Sequence, residues 1–314
     1  MVLETDKIPS TMYDWLRKIL RNAEASNIPT TLSDDYWIFD PSCDEEITSQ
    51  ELLDERNRLT PGSGHSAYQT QTAVLEAVAV ERAALHAKTT LEAEKIRDGL
   101  GRVEERISLS VLIDHSGSMR DDKVQMAMVI AGCASQLALK LNLPFEVLGF
   151  TTVEWRGDPV RGLWINRGSP DLPGRLCALR HIVYSDFKTK RLPDLRAMFL
   201  PDILKENVDG EAILWAAERA RKADSKRHLI VVVSDGAPVD DSTLARNNPD
   251  FLWDHLVSVM AEMATDETFS VVGVGLDHNV QQIYKRSTEL KFFGDVEKLF
   301  LPFLVKQISD TIAD

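Results

Sequence analysis

The sequence is poor in cysteine. Among its 314 residues only Cys43, Cys133 and Cys177 carry thiols, and no two form a Cys-x-x-Cys pair. That odd number and spacing exclude a disulfide framework and a thiolate zinc cluster, and suit a reducing compartment. Basic residues are outnumbered: 36 Lys and Arg stand against 49 Asp and Glu, a formal charge of −13. The chain therefore lacks the basic footprint that nucleic acid or an anionic membrane requires, which leaves proteins and metal cations as partners. No apolar run reaches membrane-spanning length, and charges interrupt "MVLETDKIPSTMYDWLRKIL" where a signal peptide needs an apolar stretch. The expected location is the cytoplasm. G-x-x-x-x-G-K-[ST] is missing, so the chain has no P-loop for ATP hydrolysis. His65, His86, His115, His181, His228, His255 and His278 form no metal-spaced pair. Asp114, not Gly, precedes Ser116 by two positions, which argues against a hydrolase nucleophile elbow.

What is present is the composition of a globular protein, 44% hydrophobic and 27% charged. The first hundred residues read as helical. "STMYDWLRKILRNAEA" repeats Met12, Leu16, Ile19 and Leu20 at helical spacing. "TSQELLDERNRL" opens with a capping box at Thr48 and Glu51, and "TPGSGHS" is a break. From Tyr68 to about Arg106 the Ala- and Glu-rich stretch predicts one long helix, which either pairs with a partner or packs on the main domain.

From Ile107 onward strands and helices alternate. "ISLSVLID", "PFEVLGF", "HLIVVVSDG" and "FSVVGVG" are apolar strands, and "KVQMAMVIAGCASQLALKL" is a helix apolar on almost every face. "EAILWAAERARKA", "NPDFLWDHLVSVMAEMA" and "VEKLFLPFLVKQISDTIA" supply further helices. Apolar strands separated by helices imply an α/β fold, a doubly wound, mainly parallel sheet covered on both faces. The expected division is a helical N-terminal region, 1–106, and the α/β domain, 107–314. Residues 151–207 exceed what a connection needs and read as a hairpin plus an insertion on one sheet edge. That segment is rich in Arg and Trp, and Arg175, Arg180 and His181 are its expected partner-binding residues.

In "VLIDHSGSMRDDK" an apolar strand ends in Asp114, followed by Ser116 and Ser118. Asp235 ends another strand in the same way, and sites in such sheets lie at the carboxyl ends of the strands. Alternate residues of a turn can converge, with Gly117 allowing the tight bend. One carboxylate and two hydroxyls are hard oxygen donors, suited to Mg²⁺ or Mn²⁺ and poor for zinc. The competing reading is that Ser116 or Ser118 merely caps the next helix. His115 reads as an exposed loop histidine, and Asp240 and Asp241 as rim residues or a helix cap.

These residues resemble the metal-ion-dependent adhesion site of von Willebrand factor A (VWA) domains, with "DHSGS" as the first loop and "SDG" as the third. The second loop of that family usually supplies a Thr. Here it reads "NVDGEAILWA", which makes Asp209 and Glu211 the candidates, and spacing leaves open which one faces the metal. "LIDHSGSMR", "VLGFTT", "PGRLCALRHIVY", "LKENVDGEAILWA" and "VVSDGAPVDDSTL" together resemble the CobT family, the VWA subunits of aerobic ATP-dependent cobaltochelatase. The resemblance runs from about Ser108 to Val280, with a patch at Tyr36–Leu53. His115 replaces the usual Asn, and the chain is short for the family. The resemblance implies a non-catalytic subunit that couples a CobS-like AAA+ ATPase ring to cobalt insertion into hydrogenobyrinic acid a,c-diamide on a CobN-like large subunit. The alternative is a partner of a MoxR-type AAA+ protein with a different client.

Overall fold

The computed structural model describes residues 36–313. The helix expected over "STMYDWLRKILRNAEA" lies outside them. In chain order the elements are β1 (Glu45–Thr48), α1 (Ser49–Leu59), α2 (Ser63–Ala77), α3 (Ala79–Leu100), β2 (Ile107–Asp114), α4 (Asp122–Leu141), β3 (Phe145–Thr152), α5 (Val160–Asn166), β4 (Leu179–Ser185), α6 (Asp209–Ala220), β5 (Arg227–Ser234), α7 (Asp241–Leu244), α8 (Phe251–Met263), β6 (Phe269–Leu276), β7 (Ser287–Leu290) and α9 (Leu301–Ala313). Short helical turns link some of them, and a π-helical stretch, Val296–Phe300, leads into α9.

The seven strands form one sheet in the order β1-β4-β3-β2-β5-β6-β7. Neighbours run parallel except β3 and β4, which pair antiparallel. The chain leaves β2 to one side through β3 and β4, then crosses to β5 on the other side. The carboxyl ends of β2 and β5 therefore flank the point where the winding reverses, the usual ligand crevice of open α/β sheets.

Side-chain alternation on β2 builds two cores. Ile107, Leu109, Val111 and Ile113 pack with residues of α3, α4 and α9, including Ala93, Ile96, Ile130, Ala134 and Leu304. Leu112 faces the other way, with Ile230 and Val232, onto Ala212, Ala216, Leu256 and Val259 of α6 and α8. Each fully buried Val, Leu or Ile contributes roughly 1.5–3 kcal/mol. By length and composition α4 could cross a membrane, but here it is the core helix, with Ala127, Ile130, Ala134, Leu137 and Ala138 fully covered.

The helical arm is in two pieces. Val78, at φ −106° and ψ 24°, ends α2 and starts α3. Leu85, Thr89, Ala93 and Ile96 are the buried residues of α3, spaced every three or four positions along one stripe. The arm thus packs on the main domain through α4, and His86 Nδ1 lies 3.0 Å from Gln136 Oε1. The capping box forms as expected, with Glu51 N–H donating to Thr48 Oγ1 at 3.2 Å and Thr48 N–H donating to Glu51 Oε2 at 2.9 Å.

The expected division at residue 106 does not hold for the stretch around β1. β1 pairs with β4, so β4 is an interior strand and the 151–207 segment does not form the sheet edge. Arg175 is the reason. Its N–H donates to Trp37 O at 2.8 Å, and its carbonyl accepts from Phe39 N–H at 3.1 Å. Its guanidinium is fully buried, held by Asp44 at 2.5 Å, Glu211 at 2.7 Å and the carbonyl of Cys177. Arg180 is buried against Glu45 and Glu55, and His181 stacks on Trp215 with ring centroids 4.2 Å apart. Burial, with Arg175 and Arg219 nearby, pushes His181 down to about 3, so it stays neutral. The partner-binding reading of Arg175, Arg180 and His181 is therefore corrected. The residue types that anchor interfaces here anchor the N-terminal stretch of the same chain.

Removing Arg175 leaves two carboxylates without their counter-ion. Arg175→Ala should cost about 3–5 kcal/mol in urea unfolding, the usual loss when a buried pair is broken from one side. Arg180→Ala, whose partners Glu45 and Glu55 are partly exposed and can rehydrate, should cost nearer ~1 kcal/mol. Equal losses would place the two arginines in equivalent surroundings and contradict the packing described.

Candidate functional site

Asp114 is the last residue of β2 and is fully buried. Its Oδ1 accepts the Ser116 N–H at 2.6 Å, and its Oδ2 accepts the hydroxyls of Ser116 at 3.0 Å and Ser234 at 3.1 Å. Ser116 Oγ lies 3.1 Å from Ser118 Oγ, and Ser118 Oγ donates to Asp235 Oδ1 at 2.7 Å. The hydroxyls thus bridge the carboxylate that ends β2 to the one that follows β5. Neither serine caps a helix through its side chain, since the turn at Gly117–Met119 and α4 both start without a side-chain cap bond. Lys123, the second residue of α4, donates to Asp235 Oδ2 at 2.5 Å.

Asp209 and Glu211 part company. Both lie in the first turn of α6, where two residues are separated by about 200° around the axis and so face opposite ways. Asp209 faces the cluster. It is buried, accepts from Asn207 Nδ2 at 2.7 Å and interacts electrostatically with Asp114 and Asp235. Glu211 faces Arg175 and also accepts the Tyr36 hydroxyl at 2.5 Å. It is spent on the fold and is corrected out of the candidate metal set. Gly210 between them is required by packing, because a Cβ there would stand 2.5 Å from His255 Nδ1.

Two loop readings also change. Gly117 has no positive φ; its lack of a side chain admits Trp155, whose Cη2 would stand 2.9 Å from a Cβ. His115 is fully buried, with Nδ1 3.0 Å from Asp114 O and Nε2 2.6 Å from Tyr184 Oη, and burial pushes it down to about 4. Asp240 is a cap: its Oδ1 accepts the Thr243 N–H at 2.7 Å. Sequence reasoning missed Ser234, Asn207, Lys123 and Lys205. Only Ser234 carried a signal, as the first polar residue after an apolar strand. Lys205 N–H donates to His115 O at 2.9 Å and its carbonyl accepts from Gly117 N–H at 2.6 Å, so it straps the first loop.

The electrostatics follow from the crowding. Burial and then repulsion from Asp235 push Asp114 up to about 7, against hydrogen bonds from Ser116 and Ser234. Asp209 is raised well above the ordinary carboxylate range, by burial first and Asp114 next. Among the described residues no three His, Cys, Asp or Glu side chains close on one point as a ready-made metal cage. Here Ser116 and Ser118 stand between the carboxylates. Every donor is a hard oxygen, the donor type that Mg²⁺ or Mn²⁺ takes with water completing the coordination.

A carboxyl that holds its proton more tightly when folded than when unfolded contributes stability at low pH that is lost as pH rises between the two values. In chelator, stability should therefore fall as pH climbs from about 4 toward 7, with Asp114 accounting for on the order of 1 kcal/mol per pH unit. Asp114→Asn should flatten that slope and exceed the wild type in stability at pH 8. Denaturant unfolding across the range checks both, and a wild-type stability that rises over that interval would refute the electrostatic picture.

The family described as "Cobalamin biosynthesis protein CobT VWA domain" matches residues 102–314. Among solved structures, the pilus adhesin SpaC from Lactobacillus rhamnosus GG, in its open conformation, is similar at 11% identity and a TM-score of 0.42, over 66% of this chain and 30% of that one. The PilB minor pilin from Streptococcus sanguinis is similar at 11% identity and a TM-score of 0.40, over 66% of this chain and 60% of that one. This chain spans less than two thirds of either pilus protein. The family match takes in β2 to α9 and with them every side chain of the acid–hydroxyl cluster, and on that match the chain belongs to the CobT VWA-domain family of cobalamin biosynthesis proteins.

Proposed function

We propose that this chain is the VWA subunit of an ATP-dependent cobaltochelatase, and that it docks a CobS-like AAA+ ATPase through a Mg²⁺ or Mn²⁺ ion at the carboxyl edge of its sheet. The observation that carries the reading is the chain of contacts Asp114–Ser116–Ser118–Asp235, with Asp209 completing it from α6. Asp114, Ser116, Ser118, Asp209 and Asp235 would hold the cation. When bound it would supply an open position for a partner's carboxylate, because a site with few protein ligands retains exchangeable water. Lys123 fixes one oxygen of Asp235 and leaves the other to Ser118. Exposed Trp155 and Val239 beside this edge give a docking partner apolar contact around the acids. In this reading the chain binds and positions while the ATPase and a CobN-like large subunit supply the chemistry, in the cytoplasm. Cobalt is the cargo and does not reside in this site.

Asp114→Ala should lower Mg²⁺ affinity at least tenfold, about 1.4 kcal/mol, in calorimetric titration. It should keep the native circular-dichroism spectrum, because the site caps the sheet and lies outside both apolar clusters. Reconstitution with the cognate ATPase and the large subunit then tests the assignment. Cobalt insertion should require the wild-type chain and fail with Asp114→Ala. Insertion that proceeds equally well without this chain would move the reading to a VWA partner of an AAA+ protein with a different client.

A further inference from the structure

Beside the acid cluster lies an open cavity of ≈ 230 Å³ whose lining includes Arg156, Arg161 and Arg246, with Leu176 and Asp241. It sits between the excursion that follows β3 and the short helix α7. In a chain of net charge −13, three arginines about one cavity are an exception. Four of the buried or half-buried arginines elsewhere are ion-paired: Arg175 to Asp44, Arg180 to Glu45, Arg196 to Asp194 and Arg219 to Glu146. Among the described residues, Arg156, Arg161 and Arg246 make no ion pair, and Arg156 and Arg246 are exposed.

The backbone that presents them is held firmly. Arg156 has φ 59°, in the left-handed region that a non-glycine residue adopts only where its surroundings hold it. It is held there from both sides, since its N–H donates to Glu206 Oε2 at 2.8 Å and its carbonyl accepts the Ser242 hydroxyl. The next residue, Gly157, must lack a side chain because a Cβ would meet Leu176 O at 2.2 Å. Arg246 stands over the indole of Trp164, its Cζ 5.1 Å from the ring centroid. The cavity is tied to the acid cluster through neighbours of its lining residues. Trp155, directly before Arg156, closes over Gly117, and Glu206, which holds Arg156, is followed by Asn207, the partner of Asp209.

We infer that this cavity is an anion pocket for carboxylate side chains, and that it takes a second acidic residue from the segment of the ATPase partner that reaches the cation site. The inference rests on the docking reading for the identity of the partner. Guanidinium forks match carboxylates in geometry. The chain's overall negative charge repels densely charged polyanions, so one or two carboxylates in an otherwise mixed segment are the ligand the field admits. Two positive anchors on one face, a cation among acids and arginines beside Asp241, would select the same acidic partner twice.

The test separates the pocket from the metal site. A capped peptide with two glutamates among glycines and serines, titrated calorimetrically into the full chain in EDTA and at low salt, should bind, and binding should weaken as salt is raised. Arg156→Gln/Arg246→Gln should weaken it at least tenfold with unchanged thermal unfolding, while Asp114→Ala should bind the peptide like the wild type. Wild-type binding too weak to detect, binding equal in the double variant, or tighter capture of inorganic phosphate than of the peptide would each overturn the pocket. With Mg²⁺ present and the cognate ATPase as titrant, the double variant should lose at least threefold in affinity. If Asp114→Ala abolishes that association and the double variant retains it in full, the cation docking stands and the pocket's role in docking falls.

Discussion

Mutual repulsion among Asp114, Asp209 and Asp235, buried together where the sheet's winding reverses, is the constraint around which the carboxyl edge is built. Each carboxylate is held separately. Asp114 is clamped by one N–H and two hydroxyls, Asp209 by the Asn207 amide, and Asp235 by Ser118 and the Lys123 ammonium. The loops that carry these groups are tied together by a segment that is neither strand nor helix. Lys205 bridges to Ser116 and Asn207 to Val239, so residues 205–207 lie as a strap between the first and third loops. The strap is itself anchored by the buried Lys205 ammonium, which donates to Val153 O at 2.6 Å and Glu154 Oε2 at 2.8 Å. Burial of like charges is expensive, and carboxyls pushed far from their ordinary range are concentrated at functional sites.

The sheet that carries the edge is held by an opposite arrangement. Arg175 gathers Asp44 and Glu211 about one buried guanidinium, and this joins the N-terminal stretch, the excursion after β3 and the helix α6. α6 therefore serves both networks from one turn. Asp209 faces the acid cluster and Glu211 the arginine, and the close seat of α6 on α8 requires Gly210 between them. A shift of α6 along its axis would misplace Asp209 and break the Arg175 pair together, so the fold's stability and the site's geometry are coupled through one helix.

The α/β alternation was legible because the strands are apolar throughout and the helices carry apolar stripes, both local signals. Asp114, Ser116, Ser118 and Asp235 were legible because two apolar strands end in oxygen donors. β1 was not, since Glu45–Thr48 alternates polar and apolar residues for only four positions and pairs with a strand far along the chain. The division of labour between Asp209 and Glu211 needed the start of α6, which "KENVDGEA" does not mark with a capping side chain. Arg175, Arg180 and His181 were misread because composition alone cannot tell an arginine that meets another molecule from one that meets its own chain's distant carboxylates. His115 was misread as exposed because the bond to Tyr184 that buries it spans 69 positions.

That last distinction has a physical basis that extends to the surface charge. A carboxylate close enough to neutralise an arginine removes it from the pool available to partners, as Asp44 and Glu211 do for Arg175, Glu45 for Arg180 and Glu146 for Arg219. Those left at the rim of the acid cluster stand where the long excursion after β3 and the loop before α7 meet, on a backbone fixed by Glu206 and Ser242. The excursion thus divides its arginines by depth: Arg175 binds the chain to itself, and Arg156 and Arg161 are presented outward. A long insertion that only protected a sheet edge would not need a residue held in a left-handed conformation to aim a charge at solvent, and β1 already covers that edge. The buried arginine of residues 151–207 thus serves the fold, and the exposed ones are those the proposed docking of a partner would use.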